Sequence, residues 1–448
     1  MKMSSFTSVF ALMFLHHFFQ TVESKFLIPG EAWGYVDVRK EATMFWWLYG
    51  AQTSDPTDRV HKPLVLWFQG GPGASSTGYG NFEEIGPLDV NLKPRNSTWI
   101  KEANVLFVDN PVGCGFSYVG DPGALTTNIS EITDDLTVFF KAFLEKFPVF
   151  KEMPFFIAGE SYGGKMAAAF GAALQDLIHD GKVQCELTGV ALGDSLISFQ
   201  DTTLSYAPYL FSFSLLDEKD FLRVQKLGKE VVKATDHGDY DKAMDLTDQL
   251  IDLIGHVTDN VDVYNVLRHN QPDLSMMHLM LQRYTKLSNN QIFSQYLMRS
   301  QSDPLVKLMN GPIRKKLGII PDNVTWGGQS EMVAETQRND IPSSVLSDVG
   351  KLIRGGVKVV VYQGQLDMIC GTLGAESWIA KLDWDGLPQF LNSSRKPLYA
   401  PSKLAKKETG AFLKNYKNFE LYYILNAGHM VPIDAPEMAL EMLRMILM

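Results

Sequence analysis

The pentapeptide Gly159-Glu160-Ser161-Tyr162-Gly163 constrains this chain more than any other feature, because of what stands on either side of it. The apolar run Phe155 to Ala158 precedes it and the alanine-rich stretch Lys165 to Ile178 follows, so a G-x-S-x-G pattern sits between an expected strand and an expected helix. Small residues on both sides of a serine let the backbone turn sharply enough to lift the hydroxyl out of a sheet. There it lies above a helix N-terminus that favours negative charge. A plain glycine turn with an incidental serine would need neither flank, and Ser161 is therefore the candidate nucleophile.

A serine hydroxyl attacks poorly without a base, and the base needs a carboxylate to orient it. Asp367 follows the expected strand Val357 to Tyr362 through Gln363-Gly364-Gln365, and His429 follows the expected strand Leu421 to Leu425 through Asn426-Ala427-Gly428. Taken singly, each is equally a loop residue making a structural hydrogen bond. Together they sit just past strand carboxyl ends, and the order Ser, Asp, His is that of α/β hydrolases. Acyl transfer also needs backbone donors for the developing oxyanion, and Gln69-Gly70-Gly71-Pro72-Gly73 directly follows the expected strand Leu64 to Phe68. The N–H groups of Gly71 and Tyr162 are the expected pair. The glycine loop lacks the lysine and following serine or threonine of a phosphate-binding P-loop.

Val105 to Val108 and Val190 to Leu192 add two more short apolar strands, and Glu131 to Lys146 reads as a helix. Strand, turn and helix succeed one another repeatedly, which predicts an α/β-hydrolase fold: a mostly parallel central sheet with helices on both faces. Leu216 to His256 and roughly Ser275 to Leu308 read as amphipathic helices, so residues of about 199–330 are expected to form a helical cap inserted in a single domain spanning 25–448.

The chain has 448 residues, 45% of them hydrophobic, and a formal net charge of -10. That is ample for a large core, and it offers no basic surface for a nucleic-acid partner. Lys2, the apolar run from Val9 to Phe19 broken by His16 and His17, and Val22-Glu23-Ser24 predict a cleaved signal peptide over 1–24. The run falls short of the roughly 20 residues a bilayer span needs, so no membrane span is expected after cleavage. Sequons at Asn96, Asn128, Asn323 and Asn392 agree with passage through the secretory pathway, towards an extracellular or lysosomal and vacuolar address. Only Cys114, Cys185 and Cys370 are present, so at least one thiol is expected to be free. His61, His179, His237, His256, His269 and His278 show no metal-ligand spacing, and neither a metal nor a cofactor is implied. A homodimer is compatible with the sequence and not fixed by it.

Gly70-Gly71-Pro72-Gly73, Asp109-Asn110-Pro111-Val112-Gly113, the GESYGG run Gly159 to Gly164, and Ala427-Gly428-His429-Met430-Val431-Pro432 together resemble the serine carboxypeptidase family from about Phe26 to the C-terminus. The resemblance implies hydrolysis of the last peptide bond of peptide or protein C-termini in acid, with Ser161, Asp367 and His429 as triad and Gly71 and Tyr162 as oxyanion hole. By the same matching, Gln69, Gly70 and Glu160 grip the substrate's terminal carboxylate, and Glu84 pairs with Glu160. Two carboxyls sharing a proton raise one pKa, which accounts for an acid preference. The chain departs from the family in having Gln69 where Asn is common and Ala74 where relatives place a disulfide cysteine. Cys370, three residues past Asp367, reads either as the free thiol that relatives keep near the site or as a small buried hydrophobe. Transfer of the acyl group to an alcohol or amine uses the same triad, and a non-catalytic secretory binding or chaperone role is the reading from a different class.

Overall fold

The computed structural model describes residues 27–269, 303–400 and 408–448. The expected signal peptide over 1–24, and the helical pattern from 275 as far as 302, lie outside the described residues.

Eleven strands form one sheet. They are β1 (Glu31–Arg39), β2 (Ala42–Tyr49), β3 (Leu64–Phe68), β4 (Asn104–Val108), β5 (Tyr118–Val119), β6 (Pro154–Glu160), β7 (Glu186–Gly193), β8 (Lys358–Gly364), β9 (Lys396–Tyr399), β10 (Thr409–Tyr416) and β11 (Phe419–Ile424). The order is β1-β2-β4-β3-β6-β7-β8-β11-β10-β9, with β5 beside β2. The six central strands, from β4 to β11, pair in parallel. Antiparallel strands flank them at both edges, β1, β2 and β5 on one side and β9 and β10 on the other. The sheet is thus mixed, and the sequence reading found its parallel centre but not its edges.

Helices cover both faces, so central strands are buried on both sides and read as unbroken apolar runs. Leu64, Leu66 and Phe68 of β3 point into one core and Val65 and Trp67 into the other. On β8, Val359 and Val361 face the first core and Val360 and Tyr362 the second. The first core takes α1 (Ile129–Lys146), through Ile132, Leu136, Phe139, Phe140 and Phe143, and α2 (Tyr162–His179). Asn128 caps α1 by accepting the Glu131 N–H at 3.0 Å, and Glu131 returns the favour to the Thr127 N–H at 2.7 Å. A C-terminal helix over Pro436–Leu447 seals the second core with Met438, Leu440, Met442 and Leu443.

Between β7 and β8 the chain makes α3 (Phe199–Ser212), α4 (Glu218–Asp236) and α5 (Tyr240–Val257). α3 is pinned to the loop beyond β8: Tyr209 Oη donates to the Gln365 carbonyl at 2.8 Å and Tyr206 Oη to that of Ile369 at 3.2 Å. Those bonds bracket Asp367. Asn96, Asn323 and Asn392 are exposed, whereas Asn128 is half-buried at its cap position. All three cysteines are buried and free.

Candidate active site

Ser161 interrupts the passage from β6 to α2 with φ +62° and ψ -125°, a backbone conformation that non-glycine residues adopt only where surrounding structure enforces it. The enforcement comes from close backbone approach. A Cβ on Gly159 would fall 2.2 Å from the Gly163 carbonyl oxygen, and one on Gly163 2.3 Å from that of Phe68, so neither position accepts a side chain. The Ser161 N–H donates to the Gly193 carbonyl at 3.0 Å.

Asp367 and His429 lie at the carboxyl ends of β8 and β11, neighbours in the same parallel block as β6. His429 Nδ1 is 2.9 Å from Asp367 Oδ2, and both side chains are buried. The Cys370 N–H reaches both Asp367 oxygens at 3.3 Å. The two loops are stitched together, with the Leu366 N–H donating to the Ala427 carbonyl at 2.8 Å. A segment the sequence reading passed over braces the histidine: the Tyr264 carbonyl accepts the His429 N–H at 2.8 Å, and the Tyr264 ring lies 5.2 Å from the imidazole. Asp434 accepts the Gly428 N–H at 2.8 Å and the Asn265 amide at 2.9 Å, fixing the turn that carries His429.

Gly70 lies against the nucleophile, since a Cβ there would stand 2.5 Å from Ser161 Cβ and 3.0 Å from its Oγ. Gly71 follows at φ +109°. Tyr162 opens α2, so its N–H has no acceptor within the helix and is available to an anion. Its ring is tied down behind the turn: Tyr162 Oη donates to Asp340 Oδ2 at 2.7 Å, and Lys165 Nζ meets the same oxygen at 2.7 Å, all of it buried. Sequence reasoning missed Asp340 and Lys165. On the other side, Asp109 accepts from Ser75 Oγ, Thr77 Oγ1 and the N–H groups of Thr77 and Phe116, which fixes the glycine loop from below.

Gln69, Glu84 and Glu160 form one buried cluster. Gln69 Nε2 donates to Glu84 Oε1 at 2.8 Å and Glu160 Oε1 at 2.9 Å, and its own Oε1 accepts from Trp67 Nε1 at 2.9 Å. The longer glutamine side chain is thereby fully used. The remaining oxygens, Glu84 Oε2 and Glu160 Oε2, have no donor among the described residues. A proton shared between the carboxyls would supply it. Burial pushes the Glu84 carboxyl up to about 7, and it pushes Glu160 further, where the charge of Glu84 adds to the effect.

Those shifts bear on stability. A carboxyl whose pKa rises on folding stabilises the fold fully below its unfolded value of 4.5, and that contribution disappears as pH climbs through the folded value, about 7 for Glu84. A rise of this size corresponds to about 3 kcal/mol. The protein is therefore expected to melt at a higher temperature at about pH 5 than at about pH 8, and Glu84→Gln is expected to narrow the difference. Thermal unfolding at both pH values checks this, and equal sensitivity in variant and parent would count against it.

Among the described residues, no group of three or more His, Cys, Asp or Glu is placed to hold a metal ion, and no helix is long and apolar enough to cross a membrane.

Comparison with known proteins shows the family and the fold. The family model described as serine carboxypeptidase matches residues 15–448. The retinoid-inducible serine carboxypeptidase of Homo sapiens is 46% identical over 416 residues, covering 93% of this chain and 91% of that protein. Serine carboxypeptidase-like 51 of Arabidopsis thaliana is 42% identical over 422 residues, covering 92% and 91%. Among solved structures, a prohormone-processing carboxypeptidase from Saccharomyces cerevisiae superposes with a TM-score of 0.78 at 20% identity, covering 94% of this chain and 92% of that one, which is a likeness of fold.

Proposed function

The chain belongs to the serine carboxypeptidase family, and from that premise we propose that it releases C-terminal amino acids from peptides through an acyl-enzyme on Ser161, in acid, after entering the secretory pathway. Ser161 Oγ attacks the last peptide carbonyl while His429 takes its proton, and Asp367 holds the imidazole through Nδ1, which leaves the other ring nitrogen free to act as base. The Gly71 and Tyr162 N–H groups receive the oxyanion, His429 returns the proton to the departing amino acid, and water releases the acyl group by the same path in reverse. The described parts of the segment near 199–330 act as a cap, and the sequons at Asn96, Asn128, Asn323 and Asn392 carry glycans.

The observation that supports an exopeptidase is the cluster of Gln69, Glu84 and Glu160 beside Gly70, itself packed on Ser161. Removal of a C-terminal residue requires a site for a free carboxylate next to the nucleophile. A buried pair of carboxyls can serve an anion only while it holds a proton. As pH rises through about 7 Glu84 ionises first, leaving the pair with a net negative charge that repels the substrate's carboxylate, so KM is expected to climb while the triad stays competent.

The test is release of the terminal residue from an N-blocked dipeptide and from the same dipeptide as its amide, at about pH 5 and about pH 7.5. Preference for the free acid at low pH is expected, with KM rising roughly 10- to 100-fold towards the higher pH, the loss of one hydrogen bond to a charged group. Glu160→Gln is expected to blunt that rise. Equal turnover of acid and amide at both pH values would refute the carboxylate grip, and acyl transfer to an added amine in place of hydrolysis would favour the transferase reading.

A further inference from the structure

The mechanism leaves one buried carboxyl of the site without a task. Asp194 follows β7 at φ +40°, in the left-handed region where a non-glycine residue is strained, and its side chain is wholly buried. Its N–H donates to the Tyr362 carbonyl at 2.9 Å, and its Oδ1 accepts the Gly364 N–H at 2.8 Å, at the residue from which the Asp367 loop departs. Its Oδ2 has no donor among the described residues. The neighbour within hydrogen-bonding reach is the carboxyl of Asp367. Two carboxyls in contact and shielded from water do not both ionise. Asp367 faces the imidazole and the Cys370 N–H, both donors, whereas the free oxygen of Asp194 has no donor among the described residues.

We propose that Asp194 remains protonated in the working enzyme and donates its O–H to Asp367, as a positioning residue that holds the triad carboxylate against His429. This deepens the reading of Ser161, Asp367 and His429 as the triad and rests on it. The surroundings support it: burial first, then the charge of Asp367, pushes the Asp194 carboxyl far above the usual carboxylate range. Besides His429, which faces Asp367, the described groups acting on this pocket are Glu160 from β6, Tyr362 from β8, Cys370 from the loop beyond it, Asp434 from the turn after β11 and Tyr209 from α3. None of these five is cationic. The strained backbone at Asp194 thus has a use, since it aims an acid at the Asp367 carboxylate.

The experiment compares the mature protein with Asp194→Asn, Asp194→Ala and Ser161→Ala, measuring the rate of Ser161 labelling by a fluorophosphonate from about pH 4 to about pH 9, and kcat and KM on an N-blocked dipeptide. The fluorophosphonate carries no terminal carboxylate, so the grip of Glu84 and Glu160 on substrate does not enter its binding, and their charges act alike on parent and variants. Asparagine is isosteric, offers a permanent neutral donor to Asp367 and keeps an acceptor for the Gly364 N–H. It is expected to label within about threefold of the parent, with the same midpoint on the acid side, because no charge has been removed. Alanine is expected to lower labelling and kcat by roughly 10- to 100-fold at unchanged KM. A midpoint about one unit lower in Asp194→Asn would mean that the parent carries an anion at this position, and would overturn the proposal. So would an alanine variant that matches the parent. If the alanine variant is not recovered folded, the asparagine profile decides alone: the same rate and midpoint uphold the proposal, and a shifted midpoint or a lost rate overturns it. Labelling that persists in Ser161→Ala would instead overturn the triad reading beneath it.

Discussion

Replacing Ser161 by alanine is expected to lower kcat for release of the terminal residue by roughly 10⁶-fold with KM little changed. The substitution removes one oxygen and nothing else. Ser161 already sits at φ +62°, a strain alanine shares, and the turn is held by the glycines at 159 and 163 and by the bond from the Ser161 N–H to the Gly193 carbonyl. The fold and its melting temperature are therefore expected to be unaltered, so lost activity reports the chemistry. Any residual rate above water would come from the oxyanion donors and from substrate binding. His429→Ala is expected to cost about as much, and the double variant no more than either single one, because nucleophile and base act as a unit. Steady-state kinetics on one N-blocked dipeptide, with enzyme counted by active-site titration of the parent, checks the set. A loss below about tenfold in Ser161→Ala would remove Ser161 from the reaction.

The parts of this molecule that were readable in the sequence share a physical reason. Strands β3, β4, β6, β7, β8 and β11 are covered on both faces, so each announces itself as a short unbroken apolar run closed by a loop. Ser161, Asp367 and His429 each follow such a run, and the sheet then gathers the three ends without further information. The edge strands gave no such signal. β1 is only half-buried along most of its length and β10 mixes buried with half-buried positions, while β2, though wholly buried, was hidden among aromatics with no motif at its end. The supports of the site were illegible for a different reason. Asp340 under Tyr162, and Tyr264 and Asp434 around His429, act across folded loops with no local spacing to mark them. Family resemblance singled out Gln69, Glu84 and Glu160. Only the fold revealed that one amide bridges both glutamates and that Asp194 touches the triad.

Asp367→Asn carries the second largest expected effect, a fall in kcat of roughly 10⁴-fold at little cost in KM. Asp367 Oδ2 accepts from His429 Nδ1, so the proton of the neutral imidazole stays on that nitrogen and the other is free to receive the serine proton. An amide presents a donor where the carboxylate presented an acceptor, which favours the opposite tautomer, and it no longer carries the charge that stabilises the imidazolium formed in the transition state. Neither loss can be made good by solvent, because Asp367 is wholly buried and its loop is tied to α3 through Tyr209 and Tyr206. The same enclosure keeps the variant folded, since asparagine has the shape of the residue it replaces and still accepts from the Cys370 N–H. The effect is expected at about pH 5 and about pH 7.5 alike, unlike that of Glu160→Gln, which acts on substrate affinity and only towards the alkaline side. Pre-steady-state release of a chromophoric leaving group separates the two: Asp367→Asn is expected to slow acylation itself. An acylation rate within tenfold of the parent would mean that His429 takes its orientation from elsewhere, with the Tyr264 and Asp434 contacts as the next place to look.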